Sequence, residues 1–149
     1  MGPLTFAEIQ YEKLSGKQQE SYNFQKLSAV LADFGYITIP LNNDWNGADF
    51  IAQASDGKTF IKVQLKSRLT FDEKYLDSQL YVCFRDGNPG PWYFYDHDKL
   101  LGQVDVKGKI RESKTWKDKK PYHFRKISTD VRKMLDLQYR IPDVGANRK

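Results

Sequence analysis

Cysteine is nearly missing: among 149 residues only Cys83 carries a thiol, so no internal disulfide can form and no cysteine cluster can hold a metal. That sparse use of cysteine fits a reducing, intracellular and cytoplasmic setting. Histidine is almost as scarce. His97 and His123 stand far apart, without the cysteine or acidic spacing of a zinc site, and neither is read as catalytic or metal-binding. No apolar stretch approaches the roughly 20 residues that a membrane-spanning helix needs, and no basic-then-apolar leader opens the chain, so a membrane partner is not expected. Internal repeats, low-complexity tracts and long linkers are also lacking, which leaves one domain over residues 1–149.

What is present is an ordinary globular composition with 40% hydrophobic and 29% charged residues, enough apolar side chains for one core. Charge is unevenly spread: residues 1–75 carry a net −1 and residues 76–149 a net +6. The densest basic stretch, within residues 105–126, holds Lys107, Lys109, Arg111, Lys114, Lys117, Lys119, Lys120, Arg125 and Lys126, interleaved with Trp116, Tyr122 and Phe124. Such a segment suits a phosphate backbone, with aromatics for stacking, and equally suits a solvated loop.

The clearest helix is expected from Ser15 to Phe34, where Phe24, Leu27, Leu31 and Phe34 recur at helical spacing and Gly35 can end it. One turn before Phe24, the same stripe lands on Glu20. A short strand Tyr36–Ile39 is expected to stop at Pro40, with a polar loop through Gly47. Two strand-like runs then flank Asp56-Gly57, a strong hairpin signal. With that turn, cross-strand positions sum to 113. Asp49 then faces Gln64, and Phe50, Ala52 and Ala54 share an apolar face with Ile61, Val63 and Leu65. Directly opposed side chains lie about 5 Å apart and diagonal ones about 7–8 Å, so Asp49, Gln64 and Lys66 meet in one patch. Further strands are expected over Gln79–Phe84 and Trp92–Tyr95, a capped turn at Asp96 or Asp98, and a last helix over residues 128–139 with Val131, Met134 and Leu135 inward. Cys83 and the run Trp92 to Tyr95 read as core.

Glu20, Asp49, Gln64 and Lys66 together offer two carboxylates, an amide carbonyl and an ammonium. That set suits Mg²⁺, a hard cation that takes oxygen ligands and keeps several waters, with a cation beside it for a phosphate. Lys66 would orient or help deprotonate a water, or stabilise a crowded phosphate as a point charge.

Over about residues 15–66 the chain resembles the PD-(D/E)xK nucleases of the restriction-endonuclease-like fold. The likeness rests on Gly16 and Glu20 ahead of a helix ending Phe34-Gly35-Tyr36, on Asn46-Gly47-Ala48-Asp49-Phe50-Ile51-Ala52, and on Ile61-Lys62-Val63-Gln64-Leu65-Lys66. Ala48 replaces the signature proline, and Gln64 stands at the second acidic position, a QxK variant similar to a branch of small homing endonucleases. The resemblance implies an α/β fold with a mixed central sheet flanked by helices, its catalytic core over about residues 15–95. It further implies a Mg²⁺-dependent, site-specific endonuclease making double-strand breaks in DNA, with Mn²⁺ as substitute. Asp49 would be the central metal ligand, Gln64 and the Leu65 carbonyl further ligands, and Glu20 an accessory one, while Lys66 would act on the attacking water. Ser67 and Arg68, directly after Lys66, would join the basic segment in contacting phosphates. A domain this small would need a dimer or tetramer to cut both strands. The alternative is a non-catalytic nucleic-acid-binding protein on a degenerate nuclease fold.

Overall fold

A computed structural model describes residues 2–45 and 47–145. Helix α1 runs Gly16–Ala32. Ser15 caps it: its hydroxyl accepts from Gln18 N–H at 3.2 Å, and the Gln18 side chain accepts from Ser15 N–H at 2.9 Å, a reciprocal capping box. The helix stops two residues short of the expected end, because Gly35 takes φ +83° and turns the chain. Phe34 consequently lies outside the helix and is exposed, while Leu27 and Leu31 are buried.

Strand β1 spans Tyr36–Trp45 and continues through Pro40, contrary to the expected stop there. The reason is its place at the edge of the sheet, where a residue without an N–H can face away from the ladder. Its register with the next strand shifts between Pro40 and Trp45, so the expected polar loop is an irregular strand. Asn46, part of the quoted motif, lies outside the described residues. Strands β2 (Ala48–Ala54) and β3 (Phe60–Lys66) then form the expected hairpin: Phe50 pairs with Val63, Ile51 with Lys62, Ala52 with Ile61 and Gln53 with Phe60. At the turn, Asp56 accepts the N–H groups of Lys58 and Thr59, both at 2.8 Å, and Gly57 takes φ +69°.

After β4 (Thr70–Phe71), strand β5 (Leu80–Arg85) runs parallel to β3, and β6 (Trp92–Asp96) returns antiparallel to β5. The main sheet has the order β1-β2-β3-β5-β6, a mixed sheet, so the architecture is α/β. Asp96 caps helix α2 (His97–Val104) by accepting Lys99 N–H, α3 is the short Lys114–Lys117, and β7 (Tyr122–His123) pairs with β4. Helix α4 (Thr129–Gln138) follows its cap Ser128. No helix among the described residues is long and apolar enough to cross a membrane.

The sheet separates two cores. On one face Phe50, Ala52, Val63, Cys83 and Trp92 pack with Leu27 and Leu31 of α1. On the other, Val82, Phe84, Tyr93 and Tyr95 pack with Leu100, Leu101, Ile110, Trp116 and Leu135. This second core covers the β5–β6 side, and on the β1–β2–β3 side Ile37, Ile39 and Phe60 are exposed. The chain enters β2 through Gly47 at φ +86°, flat against buried Tyr75; a Cβ there would lie 2.5 Å from a Tyr75 ring carbon. Gly47→Ala therefore combines backbone strain with overpacking and should cost about 1–3 kcal/mol, read as a lower urea midpoint at unchanged slope. A wild-type midpoint would contradict this account of the turn.

Candidate active site

The hairpin register fixes what can meet at its open end. One step beyond the Phe50–Val63 pair, Asp49 comes opposite Gln64, and both point away from the α1 core. In the parallel pairing with β5, Gln64 stands beside Val82 and Lys66 beside Phe84, both buried in the second core. The polar groups thus occupy the rim of an apolar layer. Lys66 Nζ sits 5.9 Å from the centre of the Tyr75 ring, and Lys74 Nζ 5.3 Å from it, both within cation–π range. Lys74 is a second cation that the sequence reading did not include.

Two adjoining clefts share Asp49, Gln64 and Lys66. The smaller, of about 330 Å³, is walled by Gly47, Lys74 and Tyr75. The larger, of about 690 Å³, adds Glu20 from α1, Leu65, Ser67 and His123. All four expected catalytic positions, Glu20, Asp49, Gln64 and Lys66, therefore line one cleft although they come from three elements.

The Asp49 carboxylate accepts Leu65 N–H at 2.8 Å through Oδ2, which pins it across the hairpin. Asp49 as a residue is exposed on the cleft wall, yet protein atoms crowd its carboxyl group. That desolvation is the main cause holding its pKa above the ordinary aspartate range; the charge of Glu20 acts in the same direction. The Leu65 N–H, the Lys66 charge and an N–H of Gln64 pull it back only in part. The Gln64 amide also donates to the Leu65 carbonyl at 3.4 Å, a long bond.

Among the described residues, no group of three or more His, Cys, Asp or Glu side chains converges to hold a metal. The donors that do converge are two carboxylates, one amide and one backbone carbonyl. They fit a hard cation that keeps most of its water, because the two carboxylates share a cleft in which Glu20 already disfavours the charge on Asp49. Gln64 fits only after a half-turn of its amide, which replaces its N–H by its oxygen.

The remaining expected contacts divide. Ser67 lines the cleft, and Arg68 lies close enough for its charge to act on His123. In the basic segment, Arg111 is engaged with buried Asp105 at 2.5 Å and Lys119 with Glu73 at 2.8 Å, so these two serve ion pairs of the fold. Lys107, Lys109, Lys114, Lys117 and Lys120 are exposed and line neither cleft. His123, set aside on spacing, is brought to the larger cleft by the β4–β7 ladder, where Thr70 pairs with it. His97, by contrast, is buried in the fold, accepting Asp72 N–H at Nε2 and contacting Asp98 through Nδ1.

Comparison with protein-family models, curated proteins and solved structures gives no match. The geometry is what speaks to function.

Because Asp49 ionises reluctantly in the fold, the sign of its effect on stability follows. Below the unfolded value of 3.8 the residue is protonated in both states and costs nothing; as pH rises through its raised folded value, ionisation costs stability. Asp49→Asn keeps an acceptor for Leu65 N–H and should raise the melting temperature at pH 7, with the gain shrinking toward pH 3. Equal melting curves at both pH values would refute the desolvated carboxylate.

Proposed function

We propose that the chain is a Mg²⁺-dependent DNA endonuclease with a restriction-endonuclease-like core, hydrolysing phosphodiesters by direct attack of water. The observation that carries this reading is the single cleft in which Glu20, Asp49, Gln64 and Lys66 stand together. Asp49, the Gln64 amide oxygen and the Leu65 carbonyl would hold the ion, with Glu20 supplying the negative charge that glutamine lacks. When bound, such an ion makes water a better nucleophile and offsets the charge that builds on the phosphate. Lys66 has three N–H donors, which suit one phosphate oxygen together with the attacking water. Ser67 and Arg68 continue the donor row, and the exposed lysines among residues 107–120 supply a field for duplex DNA. A homo-oligomer, dimer or tetramer, would let two such clefts address the two strands; the exposed apolar patch of Ile37, Ile39 and Phe60 supports this.

Purified protein should cut or nick DNA only with Mg²⁺ or Mn²⁺, and Lys66→Ala should slow cleavage at least about a hundredfold. Equal residual cleavage by wild type and Lys66→Ala across a broad panel of duplexes would sink the assignment. Gln64→Glu adds a charged ligand and should tighten Mg²⁺ binding, measured by calorimetry. A second reading, a DNA-binding module without catalysis, is favoured by one observation: the Gln64 amide turns an N–H toward the Leu65 carbonyl and toward Asp49. It predicts no metal binding that Asp49→Ala abolishes.

A further inference from the structure

The larger cleft contains a group that the nuclease reading leaves unused. His123 stands on β7 opposite Thr70, and its Nδ1 lies 2.9 Å from Thr70 Oγ1. The same hydroxyl lies 2.9 Å from the Arg68 carbonyl, which can only accept. Thr70 has one hydroxyl proton and must give it to that carbonyl, so it accepts from the imidazole. His123 is thereby the donor at Nδ1, and in the neutral ring the lone pair sits on Nε2. Thr70 is fully buried and cannot swing away: Tyr95 donates its hydroxyl to the Thr70 carbonyl at 2.6 Å and accepts Thr70 N–H at 3.1 Å. Among the described residues, Nε2 has no hydrogen-bond partner.

The other polar groups of the cleft are differently committed. Lys66 as an ammonium offers donors and no acceptor. Asp49 spends Oδ2 on Leu65 N–H, and in the proposed reading both carboxylates face a cation.

We propose that Nε2 of His123 is the proton acceptor of this cleft, taking the proton from the water that attacks the phosphodiester. This rests on the nuclease reading and adds a catalytic residue to it. As the proton passes to Nε2, the water oxygen forms its bond to phosphorus. The bond to the leaving oxygen breaks, and the electron pair stays with that oxygen, which is protonated by solvent. The imidazolium then returns its proton to solvent. Desolvation and the charges of Lys66 and Arg68 push the His123 pKa below the ordinary histidine range, opposed by Asp72, which favours the neutral ring with its lone pair on Nε2.

Two measurements test it. Nitrogen NMR of the labelled wild-type protein at pH 7 should show His123 protonated at Nδ1 and bare at Nε2; a ring protonated at Nε2 would overturn the proposal without reference to activity. Metal-dependent cleavage should then be followed against pH for wild type and His123→Asn, which retains an amide N–H to offer Thr70 but no acceptor at the Nε2 position. Wild type should lose activity on acidification below its histidine pKa. The variant should be slower by about 10²–10⁴-fold, lack that acid limb and bind duplex DNA as wild type does. An active wild type whose variant keeps both rate and acid limb defeats the role of His123 alone. A wild type inert on every duplex defeats the nuclease reading, and this step with it.

Discussion

The pairing of β2 with β3 decides on which side of the sheet every side chain of the hairpin lies. Because side chains alternate, a slip of one residue would send Asp49 toward Leu27 and Leu31 and put Phe50 in the cleft. The Asp56-Gly57 turn and the apolar set of Phe50, Ala52 and Val63 both enforce the observed register. Once it holds, an acid, an amide and an ammonium share one rim, and the Leu65 N–H bond to Asp49 closes the open end. The surrounding fold buttresses this hairpin: α1 covers one face and carries Glu20, while β5 lines Gln64 and Lys66 with the wall of the second core.

The electrostatics of the cleft follow from that placement. An aspartate crowded by protein atoms, on which the charge of Glu20 also acts, sits in a state that a cation would relieve. Lys66 answers part of the charge from the neighbouring strand β3, with its ammonium over the Tyr75 ring. The Gly47 turn also brings the backbone against that ring, so one aromatic side chain meets both the entry to β2 and the cations beside the cleft.

Much of this was legible in the sequence for local reasons. The hairpin, its register and the convergence of Asp49, Gln64 and Lys66 depend on one turn and a period of two. The helix carrying Glu20 depends on a capping serine and an apolar stripe. Pro40 misled because a proline signals a stop only where its missing N–H is needed, and strand order, not sequence, makes β1 an edge. Lys74 and His123 could not be placed because their positions follow from tertiary contacts, Tyr75 under one and the β4–β7 ladder behind the other. The same limit applied to Arg111 and Lys119: each is a plain basic residue in the sequence and an ion-pair partner in the fold.

The ladder of β4 and β7 is only two residues long on each side. Joining it closes a far longer stretch of chain than the hairpin turn does, at an entropic cost larger by about 2 kcal/mol. The carboxylate, amide and ammonium of the hairpin are therefore brought together by a local turn, whereas the imidazole reaches the same cleft only through a long-range pairing.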